Sequence, residues 1–228
     1  MPQLKHNHKG FVQEIKQRNI NSLVHFTPTR NLMGMFELGK IINRSELERI
    51  GQDHIDYLLD YTQMTDEYRY DDPSYINLSI EHPNSFLLNR FKQKTISDFS
   101  IQWCVLKINT EPICWHSTAF AVHNASSNFA KNIGIGTELK HFKNLFKDSL
   151  SIPGSYGSKH QLDRQNLANC HPTSIQAEVL VKDPIYLSHI KKVVFENEDD
   201  KLRARAAVSG LTDLELTIDK QLFRKTRN

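Results

Sequence analysis

Apolar positions recur along the chain with a helical period in some stretches and a strand period in others, and the changes between the two place the elements. In FVQEIKQRNINS, residues 11–22, Phe11, Val12 and Ile15 share one stripe, which predicts an amphipathic helix. The run Leu23-Val24-His25-Phe26 that follows predicts a buried strand. TPTRNLMGMFELGKI then reads as a polar turn and a helix, with Thr27 or Thr29 as cap, Leu32, Met35 and Phe36 at helical spacing, and Gly39 as the stop. A further amphipathic piece, SELERIGQDHIDYLLDYTQM, leads into TDEYRYDDPSY, whose Asp, Tyr and Pro content predicts a loop.

Beyond it the pattern shortens to strand-like runs at Tyr75–Ile80, Gln102–Ile108, Ala119–Val122, Gln176–Val181 and Lys191–Phe195, with NSFLLNRFKQK as a helix between the first two. Two stretches carry little periodic signal: residues 124 to about 140, and SIPGSYGSKHQLDRQNLANCHPTS at 151–174. Loops of such length inside a compact domain tend to be functional. No repeat or compositional break marks a linker, so the pattern predicts one α+β domain over 1–228, helices first and mostly antiparallel strands after.

Composition excludes more than it selects. At 228 residues with 39% hydrophobic and 24% charged positions the chain is long enough for a core without staples. Cys104, Cys114 and Cys170 form no CxxC pair, which argues against both a disulfide framework and a zinc ribbon. The eleven histidines are scattered without ligand spacing, so no metal site is expected. The leader MPQLKHNHKG lacks an apolar core and no run approaches a membrane span, which suggests a cytoplasmic protein with no membrane partner. A net charge of +3 leaves polyanion affinity to local distribution: bases gather between 131 and 164 and in the tail, acids in 46–72 and 196–200.

Three constellations carry candidate chemistry. His25, Thr27 and Asn31, on a strand end running into a helix, offer donors and acceptors for a polar planar group and a ribose, and the same residues serve equally as a half-buried His beside a helix cap. Gln176 and Glu178 open the strand QAEVLV, where alternation projects both from one face; Glu178 is either a surface strand-end carboxylate or one placed to stabilise a cationic transition state, with the Gln176 amide orienting an acceptor. Arg69, between Tyr68 and Tyr70 in a loop, can clamp a pyrophosphate or simply pair with its acidic neighbours. In the late loops Tyr156, Lys159 and Arg164 can meet a nucleic acid by stacking and by phosphate contacts, or decorate a solvated face.

Taken together, HFTPTRNL, YRYDDPSYINLSIEHPNSFLL, HNASSN and PTSIQAEVLV resemble the DarT family of DNA ADP-ribosyltransferase toxins, over residues 23–181. The resemblance implies an ADP-ribosyltransferase fold with a split central β-structure, NAD as co-substrate without a metal, and an N-terminal element His25/Thr27/Asn31 that binds NAD. It implies Glu178 as the catalytic glutamate, Arg69 as the catalytic and NAD-binding arginine, and a substrate-recognition loop at about 151–175, which holds Tyr156, Lys159 and Arg164 and ends just before Gln176. It further implies a single-stranded DNA base, thymidine or guanosine, as acceptor, and a cognate DarG-like antitoxin as partner. The stretch INLSIEHPNSFLL departs from the aromatic-rich strand of thymidine-modifying members, which leaves the base open. Rival readings are an ADP-ribosyltransferase acting on RNA or protein, and a non-catalytic nucleic-acid-binding module. A hydrolase using His25 and a cysteine is disfavoured, because Cys104 and Cys114 lie in or beside apolar runs.

Overall fold

The computed structural model describes residues 2–50, 72–98, 101–154, 158–164 and 166–224; Arg69 and Tyr156 lie outside them. Its centre is a seven-stranded sheet in the order β11-β10-β4-β1-β3-β8-β5. The strands are β1 (Leu23–Pro28), β3 (Ile76–Ile80), β4 (Trp103–Ile108), β5 (Ala119–Ala121), β8 (Glu178–Val181), β10 (Ile190–Phe195) and β11 (Glu215–Ile218). Every neighbouring pair is antiparallel except β10 with β11. Short β2 (Lys40–Ile41) pairs with β9 (Ile185–Tyr186), and β6 (Ser149–Pro153) pairs with β7 (Lys159–Asp163) as a separate hairpin.

Both faces of the sheet are covered, which is why its central strands read as unbroken apolar runs. Leu23, Cys104, Leu106 and Ile108 enter one core cluster, whereas their alternating neighbours Val24, Trp103 and Val105 enter another. On the first face α1 (His8–Arg18) packs through Phe11, whose ring stacks on Phe120 at 5.7 Å and meets Phe142 of α6 (Leu139–Asn144) at the same distance. Lys5 is buried there, donating to the Trp115 and Thr118 carbonyls between the Phe11 and Phe120 rings, and burial lowers its pKa to about 8. On the second face α4 (Ser85–Lys94) sets Phe91 flat against Trp103 at 5.6 Å.

The sheet is split along one seam. Strand β1 pairs with β4 from Leu23↔Ile108 to Pro28↔Trp103, but with β3 only at Leu23↔Ile80 and Val24↔Ser79. From His25 onward β1 and β3 part. At the closed end Glu81, held at φ 61°, accepts from the Asn21 and Ser22 amides and the Ser22 hydroxyl. The expected split, mostly antiparallel α+β architecture is therefore present, although helices and strands alternate along the chain instead of segregating.

Three local expectations are corrected. Thr27 and Thr29 do not cap α2 (Asn31–Glu37): β1 runs through Pro28, Arg30 is the N-cap residue, and no side chain caps the helix. Gly39 does stop it, in the left-handed region at φ 68°. The stretch 124–140 is not one loop, since it holds α5 (Asn128–Ile133), capped by Ser127, and the start of α6. Residues 151–174 contain most of the β6/β7 hairpin, followed by a tightly bonded turn.

Candidate active site

Where β1 and β3 part, the imidazole of His25 takes over from the ladder. Its Nδ1 lies 3.0 Å from the Asn77 carbonyl, an acceptor, so Nδ1 carries the proton and Nε2 is left as an acceptor. Burial pushes the His25 pKa down from its ordinary value, partly opposed by that bond, so the ring is neutral. Two residues on, the buried Thr27 hydroxyl accepts from Asn31 Nδ2 at 2.9 Å. The amide's other atom, Oδ1, is buried with no hydrogen-bond partner, a costly state for a polar atom unless a ligand donor completes it.

His25, Thr27 and Asn31 line one pocket, together with Met35, Leu38, Ile41, Ile42 and Leu47 on its apolar side, Tyr75 just before β3, and Asn77 from β3. The cavity itself measures about 120 Å³ and opens to solvent at its mouth. Among the described residues the charged members of its lining are Lys40 and Arg44, both cationic, with no carboxylate among them. Arg44 opens α3 (Arg44–Ile50) and its Nε donates to Glu48 at 3.0 Å. Pairing of β2 with β9, and a 3.0 Å bond from Asn43 Nδ2 to the Lys182 carbonyl, tie this wall to the chain leaving β8. An electron-rich, anionic ligand with polar planar ends suits such a lining: an unpaired buried acceptor, a neutral imidazole acceptor, apolar walls and two cations.

Glu178 is the first residue of β8, opposite Ala121 of β5, and is buried with 7% of its surface exposed. This removes the surface-carboxylate alternative. One oxygen accepts from the Ala125 amide at 2.8 Å, the other from Asn77 Nδ2 at 3.5 Å. Gln176 does not share the strand: it lies in a turn, where its amide donates to the Ser174 hydroxyl at 3.1 Å, so strand alternation does not govern its side chain. That hydroxyl also lies 2.7 Å from His123 Nδ1, and burial lowers the His123 pKa to about 4.

Of the loop residues, Lys159 is exposed on β7. Arg164 is engaged internally: it donates to the His171 carbonyl at 2.6 Å, to Thr173 Oγ1 at 3.4 Å and to the carbonyls of Ala168 and Asn169. Arg18 of α1 lies 4.1 Å over the Phe146 ring and donates to Asn169, and Arg164 approaches the same ring at 5.6 Å. Thr173 then bonds the Leu145 and Lys147 carbonyls, so the path from Arg164 to Glu178 is stapled to the body. Arg69 and Tyr156 fall outside the described residues. Two contributors were missed from sequence. Asn77 reads as an outward strand residue, although Asn is depleted in strands; Ala125 acts through its backbone and leaves no side-chain signal. Among the described residues no group of His, Cys, Asp and Glu is arranged to hold a metal ion, and no helix is long and apolar enough to cross a membrane.

No curated protein matches the chain. Solved structures do. Thermus sp. 2.9 DarT in complex with NAD+ superposes with a TM-score of 0.56 at 14% identity, covering 90% of this chain and 98% of that one. The same protein in complex with ADP-ribosylated ssDNA gives 0.57 at 13%, covering 90% and 97%. Thermosipho africanus DarTG in complex with ADP-ribose gives 0.59 at 15%, covering 89% of this chain and 51% of that one. At these identities the likeness establishes the fold. The profile of the DarT family, described as ssDNA thymidine ADP-ribosyltransferase, matches residues 24–224, and with nearly the whole chain covered this protein belongs to the DarT family.

Proposed function

We propose that this chain is a toxin whose single domain transfers ADP-ribose from NAD to a base of single-stranded DNA, with release of nicotinamide. The observation that carries the reading is the pairing, across the β1/β3 split, of a pocket built on His25, Thr27 and Asn31 with a buried, doubly hydrogen-bonded Glu178. NAD supplies the ADP-ribosyl group. The chain's residues fit it: the orphan Asn31 Oδ1 and His25 Nε2 accept from amide and hydroxyl donors, while Lys40 and Arg44 balance the two phosphates, with Arg69 as a further cation.

Glu178 holds a negative charge beside the ribose, where cleavage of the nicotinamide bond develops positive charge, and it accepts the proton released when a base nitrogen attacks. The Ala125 amide and Asn77 Nδ2 keep the carboxylate oriented. A base inside a duplex cannot reach a cleft of this kind, so the acceptor is a single strand, approached along the recognition loop with Tyr156 and Lys159 as its contacts, Gln176 just beyond the loop, and Arg164 bracing it from inside. Thymidine, the family's described acceptor, is the first base to test and guanosine the second. Action on DNA in the cytoplasm and control by a DarG-like antitoxin complete the proposal; the structural relative from Thermosipho africanus carries the name DarTG.

The test is mass spectrometry of oligonucleotides of defined base composition after incubation with NAD, with RNA, duplex DNA and lysate protein in parallel. An ADP-ribose adduct on one base of single-stranded DNA is expected, lowered about a hundredfold to a thousandfold in Glu178→Ala. Equal labelling by Glu178→Ala, or adducts confined to RNA or protein, would overturn it.

A further inference from the structure

We infer that Asn77 is a positioning residue that fixes both halves of the site at once, setting His25 through its main chain and Glu178 through its side chain; this rests on the reading of Glu178 as catalytic. Asn77 is flanked on β3 by the buried apolar residues Ile76 and Leu78, in the register Ile76↔Val181, Asn77↔Leu180, Leu78↔Val179. Its half-buried side chain faces the pocket. An Asn in a strand interior sacrifices strand propensity, a cost that packing here does not recover.

What Asn77 does instead is chemical. Its carbonyl, left without a β1 partner where the ladder stops, accepts His25 Nδ1–H at 3.0 Å and so selects the tautomer that turns the Nε2 lone pair outward. Its Nδ2–H donates to Glu178 Oε1 at 3.5 Å, while the Ala125 amide holds Oε2 at 2.8 Å. The longer bond lies at the outer edge of hydrogen-bond range, and such bonds commonly tighten when substrate closes a site. An ionised carboxylate only accepts, so the donor side of the amide must face it. A donor to the charged form favours ionisation, and one fixed on a strand also orients the carboxylate.

The test uses the full chain with NAD and a single-stranded oligonucleotide acceptor, comparing Asn77→Ala, the isosteric Asn77→Asp, and Glu178→Gln. Asn77→Ala should lower kcat about tenfold or more, the loss expected of one hydrogen bond to a charged group, with KM for NAD within about threefold because the main-chain carbonyl remains. The acid limb of the kcat profile should move to higher pH in Asn77→Ala and further in Asn77→Asp, where a like charge faces Glu178. A purely structural role would leave that limb in place. With Glu178→Gln inactive, wild-type kcat and an unmoved limb in both Asn77 variants would overturn the inference alone. Full activity of Glu178→Gln would overturn the catalytic reading and this inference with it. Urea unfolding of each variant confirms that rates refer to folded protein.

Discussion

The two ends of the β1/β3 seam are built from similar materials and used in opposite ways. At the closed end Glu81 spends its carboxylate on the Asn21 and Ser22 amides, and accepts a left-handed backbone costing about 1–2 kcal/mol to do so. At the open end the ladder stops after Val24, an imidazole fills the gap, and Asn31 keeps a buried oxygen without a partner. Polar groups at the first end hold the halves together. Those at the second are held ready for something else. Burial and hydrogen bonding alone do not mark a functional residue; at the open end the mark is an orphaned oxygen on a residue that lines a pocket.

The contrast can be broken by substitution. Glu81→Ala should cost about 2 kcal/mol of stability in urea unfolding, since several bonds to a charged acceptor are lost, while NAD kinetics of the folded enzyme stay within about twofold. A changed KM with unchanged stability would reverse the roles assigned to the two ends. Asn31→Ala should raise KM for NAD about tenfold, because a ligand bond is lost, and lower stability by no more than about 1 kcal/mol, since the orphan acceptor leaves with it.

Acid sharpens the comparison. His25 and His123 both have folded pKa values below the unfolded one, so the unfolded chain binds more protons as pH falls from about 6.5 toward 4, and stability must fall over that window. Each ring contributes less than the full 1.4 kcal/mol per pH unit of one proton, because the difference in bound protons between the unfolded and folded chain stays below one. Urea midpoints at pH 7 and 4.5 should therefore differ less in His123→Gln than in the wild type; an identical difference would remove His123 from the account. The smallest effect concerns Arg164. If it staples the loop, Arg164→Ala leaves the salt dependence of single-strand binding unchanged, whereas loss of a phosphate contact such as one from Lys159 lowers the slope by about 0.7.

Much of this was legible in the residues. Strands β1, β4, β5, β8 and β10 and helix α4 follow from apolar runs buried on both faces of the sheet, and those runs survive any change of neighbour. The β6/β7 hairpin was hidden because SLSIP and KHQLD bury little beyond Leu150, Ile152 and Leu162, so no strong alternation appears. Helix α7 (Glu198–Ala207) buries only Ala204 and so shows no stripe. Glu178 was visible because a carboxylate at the head of an apolar strand is conspicuous. Its partners were not: Asn77 is 101 positions away, and Ala125 contributes only an amide.

The Arg164 staple also has a practical use. Cys104 and Cys114 are buried and their thiols are pushed up in pKa, which makes them slow toward electrophilic dyes. Cys170 is the partly accessible thiol, and it sits in the turn that Arg164 grips through Asn169 and His171. A maleimide fluorophore added to the unmodified protein should therefore attach mainly there, and its emission would report in real time whether an arriving DNA strand leaves the grip intact or pulls it open.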